Sequence, residues 1–310
     1  PSLEVDSFNK LSVNADIISW HDKDGYNSAF LEAQKLIGNI NTMGVEGQRI
    51  RFFETQALKN SFQNINLINA HKEISSIRLN KDEEEINCLQ KAIKISEKSL
   101  EHTLKYIKVG MTEVQIKQFL VQELYKNGGE GLSFDPIVLT GANSALPHGH
   151  SSESNIIKKG DALLFDFGAT YQGYNADITR TFFIIEADEY QRAAYNNVLE
   201  ANKVGIKNSI LSKTMHDVDN ETTLILENGE YNNFIVHKTG HGLGLDVHED
   251  PYIVRGNNSP LEVGMIITVE PGLYLPDKFG IRIEDDVVIT DKDPNVLTSF
   301  SKDLRIINNE

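Results

Sequence analysis

Apolar positions recur at helical spacing in separated stretches of the chain. From Lys81-Asp-Glu-Glu-Glu85 onward, Ile86, Leu89, Ile93, Ile95 and Leu100 keep near-helical intervals. Acidic side chains leading such a run sit against the positive end of a helix dipole, so a helix is predicted to open there and to stop at Gly110. Thr112-Glu-Val-Gln115 is a capping-box pattern, which predicts a second helix ending at Asn127-Gly-Gly129. Strand-like segments follow. The same order then returns: a helix from about Asp188 to Asn208, another from Thr214 to about Glu227, a stop at Asn228-Gly229, and strand-like sequence again. Two successive helix–helix–strand units predict an internally duplicated α+β domain with a site where the halves meet. Helical hairpins also recur by coincidence in chains of this length.

Before residue 80 the pattern differs. Short apolar runs, Ala15 to Trp20 and Ile65 to Asn69, flank one apolar-periodic stretch from Ser28 to Ile37. That mixture predicts alternating strands and helices in a small α/β region. Residues 1–78 are therefore assigned to a partial N-terminal α/β domain and residues 79–310 to the main domain. The start at Pro1, with no initiator methionine, suggests an edited sequence, a processed product or a missing front end.

Charge and composition narrow the function. The 310 residues carry 30 Lys+Arg against 45 Asp+Glu, a formal net charge of -15, which argues against a nucleic-acid partner. No run of ~18 apolar residues is present, and the first residues lack the pattern of a secretion signal. No membrane role is expected. The single cysteine, Cys88, excludes an internal disulfide and fits a reducing, cytoplasmic setting.

Candidate chemistry lies in the second half. Between Asp161 and Phe182, an apolar run leads into Asp166, Gly168 and Gly173 supply turns, and a second β-prone run carries Asp177; a hairpin holding both carboxylates on one side is predicted. His237, His241 and His248 are interspersed with Gly240, Gly242 and Gly244, which allow close approach of backbone to a ligand. Met265 to Tyr274 is a β-branched run ending in Glu270-Pro-Gly, and Gly280 to Ile289 carries Arg282 and Glu284 among aliphatics. Each segment alone has an ordinary structural explanation, such as a turn-capping acid or a surface Arg–Glu pair. Together, four carboxylates in apolar β-sequence would repel one another, and nearby Arg180 and Arg282 supply at most two positive charges. Two divalent cations would supply four. Oxygen ligands with one imidazole suit Mn²⁺, Co²⁺, Fe²⁺ or Zn²⁺, with Mn²⁺ favoured.

These residues carry a family resemblance. The Asp166…Asp177-Ile-Thr-Arg-Thr segment, Gly-His241-Gly-Leu-Gly…His248-Glu, Val-Glu270-Pro-Gly and Ile-Arg282-Ile-Glu284-Asp resemble the creatinase/methionine-aminopeptidase, or pita-bread, metallopeptidases. The chain is most similar to the Xaa-Pro peptidases, prolidase and aminopeptidase P, over about residues 76 to 308. The resemblance implies a pita-bread catalytic domain with a pseudo-twofold duplication, preceded by a shortened N-terminal domain. It also implies two divalent metals held by Asp166, Asp177, His241, Glu270 and Glu284, with Asp177 and Glu284 shared between them. Leu146-Pro-His148 resembles an upstream histidine region. His148, His237 and His248 are implied around the substrate, with His148 preferred to His150, and Arg282 is implied to support either Glu284 or the substrate carboxylate. Glu270 is implied as the proton shuttle, and His248 and His148 as helpers in the reaction.

The implied reaction is hydrolysis of the bond preceding proline in small peptides, by a water activated between the metals. A dipeptide substrate is preferred to the longer peptides of aminopeptidase P. Other readings are methionine aminopeptidase, metal-free creatinase-type hydrolysis, and a non-catalytic pita-bread binding module. The intact acids disfavour the last two. A homodimer is also implied.

Overall fold

The computed structural model describes residues 1–11 and 13–308, and the chain divides into two units, Pro1–Ile77 and the remainder from Arg78. The expected end of the main domain, at 310, falls on Asn309 and Glu310, outside the described residues.

The first unit contains α1 (Val5–Asn9), α2 (Asn27–Ile37), β1 (Thr42–Val45), α3 (Phe52–Ser61) and β2 (Asn66–Asn69), and the division falls inside α4 (His71–Leu79). β1 and β2 pair in parallel, which requires a crossover, and α3 supplies it. The periodic stretch from Ser28 is helical as predicted. Ala15 to Trp20, by contrast, forms no strand: no other segment pairs with it among the described residues, and Ile17 is exposed.

The second unit opens with α5 (Glu83–Tyr106) and α6 (Glu113–Lys126), followed by β3 (Gly131–Leu132), β4 (Ile137–Thr140), β5 (Ala162–Phe167), β6 (Ala169–Tyr171), β7 (Tyr174–Asn175) and β8 (Ile178–Ile184). Its second half repeats the order: α7 (Glu189–Asn208), α8 (Met215–Glu227), then β9 (Gly240–Gly242), β10 (Glu249–Ile253), β11 (Ile266–Val269), β12 (Gly272–Leu275), β13 (Phe279–Arg282) and β14 (Asp285–Val288). Short strands β15 (Asn295–Val296) and β16 (Ile306–Ile307) finish the sheets. A capping box starts each of α5 to α8, with Asp82, Thr112, Asp188 and Thr214 as the caps. Each box satisfies backbone donors at the helix start that have no partner within the helix.

Two ladders place the acids. β5 pairs antiparallel with β8, bringing Asp166 opposite Thr179, and β11 pairs antiparallel with β14, bringing Val269 opposite Asp285. In each half one acid lies at the end of the first strand, Asp166 next to last in β5 and Glu270 just after β11, and the other stands just before its partner (Asp177, Glu284). Buried Leu100, Leu120, Phe165 and Phe182 back the first ladder, and buried Tyr195, Leu226, Leu273 and Ile281 fill the core of the second half.

The segment from Asp161 to Phe182 is more than one hairpin. β6 and β7 leave the β5–β8 ladder to join β3 in a separate sheet. Gly168 makes the departure possible, because a Cβ there would lie 1.7 Å from the carbonyl oxygen of Ala176. Gly240, which leads into His241, is equally constrained: its Cβ would lie 1.9 Å from the Thr268 carbonyl oxygen.

Candidate metal centre

Asp166, Asp177, Glu270 and Glu284 converge from the two ladders on one cavity of about 280 Å³. Ligand atoms of Asp166, Asp177 and Glu284 lie within 4.8 Å of one another, as do those of His241, Glu270 and Glu284, and those of Asp177, His241 and His248. One oxygen each of Asp166 and Asp177 is buried without any hydrogen-bond partner. Burial, followed by the charges of Glu284 and Asp166, pushes Asp177 far above the usual carboxylate range. Burial with Glu270 and Asp166 does the same to Glu284, and burial raises Glu270 to about 7 against the opposing pull of Arg282.

His241 sharpens the picture. Its Nδ1 is 3.0 Å from the Gly242 carbonyl oxygen, which can only accept, so Nδ1 carries the proton. Nε2 therefore presents a lone pair, 3.6 Å from Asp177 Oδ2 and 3.5 Å from Glu270 Oε1. Burial, and then His248, drive the imidazole pKa down to about 3, which keeps the ring neutral. A ring lone pair facing two carboxylate oxygens at these distances is a set of donors that a cation would satisfy, and backbone bonding of the other ring nitrogen is a common support for a metal-binding histidine. The donor set fits divalent metal ions.

The arginines divide the labour differently from the expectation. Arg180 is 1 % exposed and is bonded to Asp285 at 2.7 Å, to the carbonyls of Thr179 and Glu284, and to the carbonyl of Phe300. It does not offset the four acids; with Lys302 and Thr298 it balances Asp285. Those neighbours overcome the burial penalty and hold Asp285 down at about 2. Among the described residues, Arg282 is the arginine bonded to the cluster. It donates to Asp166 and to Thr179, whose hydroxyl donates in turn to Glu284 at 2.6 Å. A second branch runs from Arg282 to the Tyr274 hydroxyl, which donates to His237 Nε2 at 2.8 Å. His237 Nδ1 gives its proton to the Lys238 carbonyl, and burial, then Arg282, lowers its pKa to about 4.

His148, Pro147, His237 and His248 line the cavity. His248 packs edge-on against His241, with ring centroids 4.3 Å apart, and burial lowers its pKa. His150 is exposed and is not among the lining residues.

The segment bearing His148 is held by a residue the sequence did not single out. Glu113, fully buried in the first turn of α6, accepts from the backbone nitrogens of Thr140 and Ser152 and from the side-chain amides of Asn143 and Asn155. Glu113→Ala strands those donors, so a loss of about 3 kcal/mol or more in urea unfolding is expected, and a change below about 0.5 kcal/mol would contradict it. Asp286, Tyr274, Lys238 and Tyr252 were likewise missed. Asp286 accepts from the Asp177 backbone at 3.3 Å and has one unpartnered buried oxygen. Acidity after Glu284 was its only signal, and that does not distinguish it from Asp285.

Fold and site together define a divalent-metal-dependent peptidase with the pita-bread fold. The description "Metallopeptidase family M24" fits residues 87–291, and the chain belongs to that family. It is 34% identical over 279 residues to the Xaa-Pro dipeptidase of Pyrococcus furiosus, covering 89% of this chain and 78% of that one. The crystal structure of X-Pro aminopeptidase from Thermotoga maritima matches with a TM-score of 0.86 and 34% identity, over 99% of this chain and 86% of that chain. An Xaa-Pro dipeptidase from Bacillus anthracis matches with a TM-score of 0.91 and 33% identity, over 98% and 84%. No helix among the described residues is long and apolar enough to cross a membrane.

Proposed function

We propose that this chain hydrolyses the peptide bond preceding proline in short peptides, most readily dipeptides, using two divalent metal ions. The observation that carries the proposal is the unprotonated His241 Nε2 facing Asp177 and Glu270 beside two further carboxylates, with Arg282 bonded to Asp166 among them. Asp166, Asp177 and Glu284 would hold one ion, and His241 and Glu270, with the shared Asp177 and Glu284, the other. When bound, such ions lower the pKa of water towards neutrality and polarise a carbonyl.

The chain's own groups do the rest. Glu270, which faces the cavity beside His241, is placed to take a proton from the attacking water and pass it to the proline nitrogen as the bond breaks. That nitrogen belongs to a tertiary amide and has no N–H, so a site needs shape rather than a hydrogen bond to accept it. Phe134, Ile137, Pro147 and Val247 supply an apolar wall for the ring. His248 is placed to donate to the developing oxyanion, a contribution of about 2.7–4 kcal/mol where such donors are preorganised. His148 orients the substrate. A cavity of about 280 Å³ lies just below the ~300–1,000 Å³ of small-molecule sites, which supports a dipeptide over a long chain. Hard oxygen ligands favour Mn²⁺. A cytoplasmic homodimer is the setting we assign, on the lone cysteine and on the likeness to Xaa-Pro peptidases.

The test is an assay of Ala-Pro, Ala-Pro-Ala and Met-Ala-Ser after metal stripping and re-addition of Mn²⁺, Co²⁺ or Zn²⁺. Ala-Pro is expected to be cleaved only with metal restored, and Met-Ala-Ser not at all. Equal cleavage of Ala-Pro-Ala would overturn the dipeptide preference, faster cleavage of Met-Ala-Ser would indicate a methionine aminopeptidase, and no cleavage at all a binding module.

A further inference from the structure

Lys238 lines the cavity half-buried, yet it forms no ion pair among the described residues. Its Nζ instead rests over the ring of Tyr252, another wall residue, 5.3 Å from the centroid. A cation–π contact of this kind is weak beside a charge-assisted bond to a carboxylate. Only the stem is free to move, because the backbone is pinned on both sides. The Lys238 carbonyl accepts from His237, and Thr239 N donates to buried Asp219 at 2.7 Å. The other cationic wall residue, Arg282, is already bonded to Asp166, Tyr274 and Thr179.

A dipeptide ending in proline brings one more carboxylate into a cavity where Asp166, Asp177, Glu270 and Glu284 would already engage the two metal ions and Arg282. Such an anion needs a cation of its own, and a lysine ammonium on a flexible stem is a mobile point charge suited to that task. Resting on the Xaa-Pro reading above, we infer that the Lys238 ammonium leaves Tyr252 to receive the free carboxylate of the substrate's proline, and so makes this site select dipeptides over longer peptides. In a longer peptide that carboxylate is replaced by a neutral amide, and the bond is lost.

The experiment compares kcat and KM for Ala-Pro and Ala-Pro amide in the wild-type, Lys238→Met and Lys238→Arg proteins, each loaded with Mn²⁺. Wild type is expected to favour Ala-Pro over its amide. In Lys238→Met that preference falls at least about tenfold, chiefly through KM, as expected for loss of a bond between charged groups. Lys238→Arg keeps most of it. A preference unchanged in Lys238→Met, or equal losses on both substrates, would overturn the inference while leaving the Xaa-Pro reading intact. Failure of the wild type to cleave either substrate would overturn that reading and this inference with it.

Discussion

Asp177→Asn is expected to reduce Ala-Pro turnover by at least about a thousandfold, some 4 kcal/mol of barrier. Asp177 is 4 % exposed, has one oxygen with no protein partner, and belongs to two of the three ligand groupings in the cavity. Asparagine keeps the shape but removes the charge that would be shared between both ions. Elemental analysis should therefore find fewer than two ions per chain. The chelated protein should respond in the opposite sense. Without metal, Asp177 is one of several mutually repelling buried carboxylates, so its neutralisation should raise the melting temperature of the metal-free protein. Near-normal turnover with two ions retained would contradict the assignment.

Glu270→Gln should lose about 10²- to 10⁴-fold in kcat, the usual range for a group that moves a proton in the transition state, with KM little changed. Glu270 Oε1 lies 3.5 Å from His241 Nε2 and Oε2 lies 4.0 Å from His237 Nδ1. Glutamine can keep an oxygen in the same place while losing the ability to hold the proton. Bound metal, measured in the same samples, should remain at two ions per chain. Full turnover by this variant would remove Glu270 from the proton path.

Much of this was legible in the sequence because its signals are local. Asp82, Thr112, Asp188 and Thr214 cap helices through residues three positions ahead, and Asp166 and Glu270 end apolar strands that announce themselves. What was not legible depends on partners far along the chain. Arg180 and Arg282 look alike in sequence, yet one is bonded to Asp285 and the other to Asp166, 116 positions away. Glu113 reads as a helix-start acid, and its bonds to Ser152 and Asn155, 39 and 42 positions away, give it a different task. The run from Ala15 to Trp20 has strand-like composition but no partner strand among the described residues, and composition alone does not provide one. Gly168 was read as a turn former; its lack of a side chain lets the chain cross Ala176 and split the hairpin.

The most direct test of the centre is anomalous diffraction from crystals grown with manganese. Two peaks are expected, one among Asp166, Asp177 and Glu284 and the other beside His241 and Glu270. A well-ordered map of those five side chains with no anomalous peak between them would contradict it.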